Sequence, residues 1–443
     1  MGDGRRGWPV GGLGGILLAS ALGSLAILGG AGSGPTSLPY LPPAAADRCG
    51  PGWAAAWEAS PQPVPPDEPL AGRTLRMIVR PQATGSELRL RLSNRFGDTP
   101  LAVGPVSLAR AGAGATLVPG TVQPVTFGGR RAVVVDPGSE RVSDPVRVVA
   151  EAGRPIAVSL MLTSAPDVVA EHPVALQTSY LSEPGNFSFD GEGAAFTTPI
   201  GSWIVLTGVD VLTPRPVNAL VAMGDSITDG VGSGLDTDTR WSDALSDRLA
   251  RRGGAATMAV LNAGISRNEL LADRGRVGGE SPLVRVRREV AELPGTTDVV
   301  LHIGTNDIAA GRDEREIVDG LVRFSSLAQA AGKRVFLTTI TPSDAGPHGT
   351  PRADAVRDKV NRWVREEGEK HADGVFDFAA AVADPARPGR LLDRYDAGDG
   401  LHLSEAGYRA LADAVDVSRL TGSPCLGDRS PARVALSDGR TGG

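Results

Sequence analysis

The sequence predicts an α/β protein in two parts: a five-stranded parallel sheet with flanking helices, preceded by an all-β sandwich of jelly-roll type. Two observations support this prediction. Before residue 214, short runs of β-type residues are separated by clusters of Gly, Pro, Asn and Asp. After Pro216, short apolar runs alternate with helical segments, a pattern typical of a parallel sheet. A chain of 443 residues is long enough to form both cores.

The predicted sandwich spans residues 49–213. Its clearest strand is the sequence ELRLRL at 87–92, where apolar and polar residues alternate strictly, as expected when one face of a strand packs on a core and the other faces water. Four further runs are predicted as strands: 74–80, 131–135, 146–150 and 156–162. Because no segment here has a convincing helical pattern, we expect an antiparallel sandwich.

The predicted parallel sheet spans residues 214–418. Five apolar runs are predicted as its strands: 217–223, 258–261, 299–303, 335–340 and 375–378. Between the third and fourth runs, apolar residues recur at spacings of four, three and four, which predicts one face of a helix. These residues are Ile317, Leu321, Phe324 and Ala328. Two more helices are predicted at 353–370 and 404–415.

The two ends of the chain differ from the rest. Arg5 and Arg6 precede an uncharged stretch, 7–46, that contains ILLASALGSLAIL; a basic start, an apolar run and small residues predict a secretory signal within 1–48, followed by a linker. An uncleaved membrane anchor is the alternative. At the other end, residues 419–443 are polar and rich in Gly and Pro, and we expect a tail that is disordered outside Cys425.

Cysteine content and charge narrow the class of protein. The only two cysteines, Cys49 and Cys425, flank the predicted folded part, so in an exported protein they predict a disulfide between the two ends; two unpaired thiols are the alternative. The net charge of −6 argues against a nucleic-acid partner, which would need a basic face. No Cys/His cluster or pair of carboxylates has ligand spacing, so we expect no metal site.

Groups capable of acyl-transfer chemistry follow three of the predicted strands, in the runs GDS, NAG and GTND, and precede the last helix. Because parallel strands gather their carboxyl ends at one edge, these groups can converge. Ser226 is the candidate nucleophile, His402 the base, and Asp399 the group that orients the imidazole. The backbone N–H groups of Ser226 and Gly264, with the side-chain amide of Asn306, are the candidate oxyanion donors.

These motifs carry a family resemblance. GDSIT, the glycine of NAGIS, GTND and the closing D-x-x-H resemble the sequence blocks of the SGNH (GDSL-type) hydrolases, over about residues 214–418. The resemblance implies a flavodoxin-like sheet and hydrolysis of esters and thioesters without a cofactor, with Ser226, Gly264, Asn306, Asp399 and His402 in the roles given above. The part at 49–213, with LSNRFGDTPL, resembles the N-terminal part of secreted bacterial members.

Three residues are candidates for lining the substrate cleft. Arg267 follows Ser266 where the family often has glycine, and we expect it to narrow the site. His348 lies in the loop after the fourth strand. Asp225 is the third candidate, although we expect it to hold the loop, with lining the cleft as the alternative. Leu403 replaces a frequent proline, and we expect no catalytic consequence.

Other residues could compete for these roles. We expect His302, inside a strand, to be a core residue, while His172 lies in the sandwich; neither has a carboxylate at the spacing seen for His402. Trp241 is expected in the core. Arg240 is expected in a surface ion pair, with binding of a substrate carboxylate as the alternative.

The sequence therefore predicts an exported serine esterase that acts on small-molecule or polysaccharide-linked esters, with short acyl groups such as acetyl favoured because no long apolar lid is visible. A lipase or lysophospholipase is the competing enzyme hypothesis. A hypothesis of another class is a glycan-binding protein whose hydrolase part is idle. The sequence predicts no oligomeric state.

Overall fold

The computed structural model describes residues 49–427, and up to Thr213 its regular structure consists of strands alone. We call residues 49–213 the sandwich region. Its strands are β1 Gly52–Glu58, β2 Gln62–Val64, β3 Arg73–Val79, β4 Gly85–Ser93, β5 Leu101–Arg110, β6 Gln123–Val125, β7 Val133–Val135, β8 Glu140–Val142, β9 Val146–Ala150, β10 Ile156–Ser164, β11 Val169–His172, β12 Ser179–Pro184, β13 Thr198–Ile200, β14 Trp203–Ile204 and β15 Leu206–Thr213.

All strand pairs of the sandwich region are antiparallel, as the sequence predicts. One sheet has the order β1-β15-β4-β8, with β9 also on β4, and the other has the order β13-β12-β3-β10-β5-β6, with β7 also on β5. A small sheet, β14-β11-β2, lies beside them. In β4 the leucines of ELRLRL are fully buried, while Arg89 and Arg91 between them pair with Asp210, so the alternation separates an apolar core face from a charged face that is only partly exposed.

The second part, from residue 214 onward, is the parallel-sheet region. Its five strands are β16 Ala219–Gly224, β17 Ala259–Gly264, β18 Thr296–His302, β19 Arg334–Thr338 and β20 Gly374–Phe376. They form one parallel sheet in the order β17-β16-β18-β19-β20. Counted along the chain this is the order 2-1-3-4-5 of the flavodoxin-like fold, which confirms the predicted fold class and puts the topological switch point between β16 and β18.

Helices cover both faces of this sheet. They are α1 Ser226–Asp229, α2 Trp241–Arg252, α3 Pro282–Val286, α4 Thr305–Ala309, α5 Glu314–Ala330, α6 Pro351–Glu367, α7 Phe378–Val382, α8 Glu405–Ala414 and α9 Pro424–Gly427, with a two-stranded hairpin of β21 Ala383–Asp384 and β22 Arg387–Leu391 before α8. Because side chains alternate along a strand, Leu220 and Ala222 pack with α2 and α8, while Val221 and Met223 pack with α5 and α6.

The predicted helix face is confirmed in α5. Ile317, Leu321, Phe324 and Ala328 are all buried there, and Asp313 caps the first turn by accepting a hydrogen bond from the N–H of Glu316 at 2.9 Å.

The segment after α8 differs from the prediction of a disordered tail as far as Gly427. Its residues hydrogen-bond to the amino-terminal edge of the parallel sheet: the N–H of Asn218 donates to Ser423 Oγ at 2.8 Å, and that hydroxyl donates to the carbonyl of Thr257 at 2.6 Å. Ser423 is fully buried as a result. Composition alone could not indicate this, because these bonds depend on a sheet edge built far away in sequence.

Cys49 and Cys425 form a disulfide that joins the start of the sandwich region to this C-terminal segment. The sandwich and parallel-sheet regions also share one continuous hydrophobic core, in which β1 residues such as Ala55 cluster with Ala259 and Leu261 of β17. The proposed boundary at 213/214 falls in the loop between β15 and β16 and stays a prediction.

The predicted secretory signal or anchor at 1–48 lies outside the described residues, as does the end of the tail, 428–443. Between residues 49 and 427, no helix is both long and apolar enough to cross a membrane.

Candidate active site

The site begins where β16 ends. Gly224 is the last residue of the strand, Asp225 caps α1 by accepting a hydrogen bond from the N–H of Ile227 at 3.0 Å, and Ser226 is the first residue of the helix. A Cβ on Gly224 would lie 2.2 Å from the carbonyl oxygen of His302, so only glycine lets α1 turn back this tightly against β18. This turn holds Ser226 at the carboxyl edge of the sheet, next to the switch point.

A histidine and a carboxylate approach Ser226 from the loop before α8. His402 Nε2 lies 3.0 Å from Ser226 Oγ, and His402 Nδ1 lies 2.6 Å from Asp399 Oδ2. With the Nδ1 proton donated to the carboxylate, Nε2 carries the lone pair that can accept the serine proton. The three side chains thus make a continuous hydrogen-bonded series, although 176 positions separate Ser226 from His402.

Asp399 is fixed by its own loop. Its Oδ1 accepts hydrogen bonds from the N–H groups of Leu401 at 3.0 Å and His402 at 2.8 Å. Partial burial raises the pKa of Asp399, but the hydrogen bonds from the His402 side chain and from these two N–H groups lower it by more, so the pKa lies below its usual value. The carboxylate therefore stays charged while it orients the imidazole.

Of the three predicted oxyanion donors, two are available. Asn306, in α4, donates one amide hydrogen to the carbonyl of Asn268 at 3.0 Å, which leaves its second amide hydrogen free to bind an oxygen. Within residues 49–427, the N–H of Ser226 makes no hydrogen bond to a protein atom.

Gly264 does not fit the predicted role. Its N–H donates to Asn262 Oδ1 at 2.8 Å, so it is already engaged, and a Cβ here would lie 2.2 Å from the backbone nitrogen of Asp229. The structural reason for this glycine is therefore the close approach of α1 to β17, which a motif alone cannot distinguish from an oxyanion role.

Arg267, predicted to narrow the cleft, has an unexpected backbone. It has a φ of +64°, in the left-handed region that favours glycine, and its side chain is exposed. Among the described residues its N–H has no protein hydrogen-bond partner. The departure from the family's glycine thus keeps the glycine-like backbone, and it offers an N–H in the loop that follows β17.

The other two cleft candidates have different surroundings. His348 is partly buried, with Nε2 3.4 Å from Asn306 Oδ1, so it lies beside a candidate oxyanion donor. Burial lowers the pKa of His348, with the nearby Arg357 lowering it further. Asp225 is fully buried and does not face a cleft; burial foremost raises its pKa to about 7. Its role is that of a helix cap.

Two rival groups are also buried. His302 is 1% exposed, with Nδ1 2.8 Å from Thr338 Oγ1, as expected for a core residue. Arg240 is not in a surface ion pair: it is 7% exposed, and its guanidinium donates to the carbonyls of Asp229 and Ala175 besides contacting Asp243. Trp241 is fully buried, as predicted.

Sequence reasoning missed two charged residues that support this edge. Arg285, fully buried in α3, donates to the carbonyls that end β16 and β17: Gly224 at 3.2 Å and Ala263 at 2.6 Å. Asp229, the last residue of α1, accepts hydrogen bonds from the N–H and the hydroxyl of Ser266, both at 2.8 Å. Arg285 has a sequence signal, a glutamate four residues later with which it pairs, but that spacing is common on exposed helices too.

This arrangement is typical of hydrolytic enzymes with an α/β fold: a parallel sheet of this topology has a serine, a histidine and a carboxylate at its carboxyl edge. The GDSL-like lipase/acylhydrolase family model matches residues 222–410. The parallel-sheet region of this chain therefore belongs to the GDSL-like (SGNH) hydrolase family, and the protein is an ester-bond hydrolase.

Solved structures to which the chain is similar include the lipase/acylhydrolase from Enterococcus faecalis, at 24% identity, with 46% of this chain and 96% of that chain covered and a TM-score of 0.37. The aryl esterase of M. smegmatis is 20% identical, with 45% and 96% covered and a TM-score of 0.34. A carbohydrate acetylesterase from Sinorhizobium meliloti is 17% identical, with 44% and 95% covered and a TM-score of 0.34. No curated protein sequence matches the chain.

Proposed function

We propose that this chain is an exported serine esterase in which Ser226 is the nucleophile, His402 the general base and Asp399 the group that orients and stabilises the imidazole. The observation that supports this proposal is the pair of short distances in series, 3.0 Å from Ser226 Oγ to His402 Nε2 and 2.6 Å from His402 Nδ1 to Asp399 Oδ2. Both lie within the range that proton transfer requires.

The proposed reaction proceeds in two halves. Ser226 Oγ attacks the ester carbonyl carbon while His402 Nε2 takes the hydroxyl proton. The tetrahedral intermediate then expels the alcohol, which receives that proton from Nε2, and an acyl-enzyme remains. A water molecule repeats the sequence: His402 takes its proton, the acyl group leaves as the acid, and Oγ regains a proton. Asp399 stays ionised throughout.

The oxyanion is held, in this proposal, by the N–H of Ser226, the free amide hydrogen of Asn306 and the N–H of Arg267. The third donor replaces Gly264, whose N–H is occupied by Asn262. Two features support Arg267: its N–H is unpartnered among the described residues, and the preceding Ser266 is tied to Asp229 in α1, which brings this loop close to the nucleophile.

We propose that the substrate carries a short acyl group, such as acetyl, on a polar alcohol of the carbohydrate type. The support is the polar rim of the site: the side chain of Asp399 is 52% exposed, Arg267 is exposed, and His348 lies beside Asn306. Such a rim suits a polar leaving group better than a long acyl chain, which needs apolar surface to bind. A lipase or lysophospholipase activity on longer chains is the second candidate.

Export is part of the proposal because of the disulfide between Cys49 and Cys425. Disulfides persist in oxidising compartments and are rare in the cytosol. Whether the N-terminal segment is removed or retained as an anchor does not affect the chemistry proposed for the site.

Initial rates on p-nitrophenyl esters of two, four, eight and twelve carbons test this function, with Ser226→Ala as the inactive variant. We expect the highest kcat/KM on the acetate and a loss of about 10⁶-fold in kcat in the variant, as for other nucleophile deletions. Ser326→Ala, which removes an exposed hydroxyl on α5, is the matched control and should keep the wild-type rate. A fluorophosphonate probe should label wild type but not Ser226→Ala.

Other results of this kinetic test would favour a different function. A preference for eight or twelve carbons would favour the lipase candidate. If Ser226→Ala matched the wild type, the nucleophile would be another residue. If the wild type neither hydrolysed an ester nor took up the probe, the protein would instead be a binding protein with an idle site, and glycan binding by the full chain would be measured next.

A further inference from the structure

The nucleophile helix is held from two directions through one carboxylate. Asp229 ends α1 and is 2% exposed. Its Oδ2 accepts both hydrogen bonds from Ser266 in the loop after β17, and its Oδ1 lies 3.0 Å from Nε2 of His172. His172 is the last residue of β11 and belongs to the sandwich region. A side chain from the sandwich therefore reaches the helix that begins with Ser226.

The surroundings of His172 determine its protonation. Nδ1 lies 2.9 Å from the carbonyl oxygen of Ser60, and Nε2 contacts Asp229 Oδ1 and, at 3.2 Å, the carbonyl oxygen of Val174. A carbonyl and a carboxylate can only accept hydrogen bonds, so both ring nitrogens must carry a proton to satisfy them. His172 is thus an imidazolium paired with the Asp229 carboxylate, and both side chains are almost fully buried.

A second contact from the sandwich supports the same edge. The hydroxyl of Ser60 accepts a hydrogen bond from Arg285 at 2.9 Å, and it donates to Glu289 at 2.6 Å. Arg285 in turn holds the carbonyls of Gly224 and Ala263, as described above. Ser60 therefore connects to His172 through its carbonyl and to the ends of β16 and β17 through its hydroxyl.

We propose that His172 is a positioning residue for ester hydrolysis: by pairing with Asp229, it holds α1 against the loop after β17, and so keeps Ser226 in register with the oxyanion donors. The inference rests on the proposed function, and it assigns the sandwich region a part in building the active site. Loss of the imidazolium would remove the cation that is hydrogen-bonded to the buried Asp229 carboxylate, and that charge would draw α1 or water into a new arrangement.

The test compares two substitutions of similar size at one position. His172→Gln keeps a hydrogen-bond donor near Asp229 Oδ1, whereas His172→Met keeps only the volume. We expect kcat on p-nitrophenyl acetate to fall about 10–100-fold in His172→Met with KM within about twofold, since misplacement of a reacting group by 1 Å costs about 10² in rate. His172→Gln should recover part of kcat, because it restores the hydrogen-bond donor to Asp229 but not the positive charge.

Gln82→Ala is the matched control. Gln82, in the sandwich region, accepts a hydrogen bond from the hydroxyl of Ser246 in α2 at 2.7 Å, and among the described residues none of its hydrogen bonds goes to α1 or to the loop after β17. We expect this variant to lose thermal stability and keep kcat. A merely structural His172 would lower Tm in the same way and leave kcat of the folded protein unchanged.

The inference is overturned if folded His172→Met keeps the wild-type kcat, if His172→Met and His172→Gln lose kcat equally, or if Gln82→Ala loses as much kcat as His172→Met. Should His172→Met fail to fold, the pH dependence of kcat decides. Wild type should lose kcat on the alkaline side as the imidazolium deprotonates, and His172→Gln should not; equal alkaline loss overturns the inference. An inactive, unlabelled wild type would overturn the proposed function first, and this inference with it.

Discussion

At the scale of single residues, the two N–H groups of the Asn306 amide have different surroundings. One N–H is fixed by the carbonyl of Asn268, and the carbonyl oxygen faces His348, so the orientation of the second N–H is set before any substrate arrives. A donor held in this way costs no reorganisation when the oxyanion forms, which is the property that makes such donors effective.

We therefore expect Asn306→Ala to lower kcat on p-nitrophenyl acetate by about 10²–10³-fold, with little change in KM, because the lost bond forms mainly in the transition state. Steady-state kinetics measure this. Asn186→Ala, at an exposed asparagine of the sandwich region, is the control and should match wild type. An unchanged kcat in Asn306→Ala would remove this residue from the proposed oxyanion site.

The convergence of Ser226, Asp399 and His402 was predictable because each stands in a sequence block at the end of a strand or before the last helix, and such positions meet at one edge of a parallel sheet. The structure agrees with a loop-holding role for Asp225, whereas the expectations for Gly264 and Arg240 differ from it for a common reason. The role of each residue depends on its burial and on its hydrogen bonds. The N–H of Gly264 is engaged by the nearby Asn262, whereas the Arg240 guanidinium is engaged by the carbonyl of Ala175, which is distant in sequence. A motif specifies the residue type but not the partner that occupies its N–H or its charge.

At the scale of elements, the contact between β11 and α1 depends on the charge of one imidazole. Burial lowers the pKa of His172, but the Asp229 carboxylate and the Ser60 carbonyl raise it by more, so the pKa lies above the usual value of about 6.5 despite the opposing charge of Arg240. The cavity beside His172 is also lined by Glu58, by Asp243, which pairs with Arg240, and by Arg80 and Asp238, which pair with each other.

The sign of the resulting pH effect follows from linkage. A group whose pKa is raised on folding contributes stability that is complete below its unfolded pKa and is lost as the pH rises through the folded pKa. We expect the Tm of wild type to fall more between pH 6 and pH 9 than that of His172→Gln, in which this group is absent. Calorimetric scans of both proteins at several pH values measure the difference; identical slopes would contradict a charged His172.

Elements with a continuous apolar run or a helical apolar spacing were predictable, whereas β5, β15 and α2 were not predicted despite their length. All five parallel strands and the buried face of α5 follow from apolar periodicity, because their burial repeats along the chain. Two- and three-residue strands such as β14 or β8 have no such repeat, and they exist only because a neighbouring strand supplies hydrogen bonds.

At the scale of the whole molecule, the disulfide and the site lie at opposite edges of the parallel sheet. The C-terminal segment contacts Asn218 and Thr257, which precede β16 and β17, whereas Ser226 follows β16. A strand of six residues separates the two edges, about 20 Å at 3.3 Å per residue.

Replacing Cys49 and Cys425 with serine should therefore lower the free energy of unfolding by about 2–4 kcal/mol and leave kcat at 25 °C unchanged. The bond spans 376 positions, so its loss mainly frees the unfolded chain. Urea unfolding with and without reductant measures the effect, and reductant should have no effect on the double variant. A large loss of kcat would mean that the two edges are coupled.

The core shared by the sandwich and parallel-sheet regions limits how this protein could be recombined. If the parallel-sheet region only lay beside a β domain without sharing its core, it could be transferred to another β domain as an independent unit. Here Ala55 packs among β17 residues, and His172 pairs with the Asp229 carboxylate of α1. A graft of residues 214–427 onto another β domain would therefore keep Asp229 but lose its counter-ion His172. Chimeras should succeed only when the new partner brings an equivalent cation and a matching apolar strand.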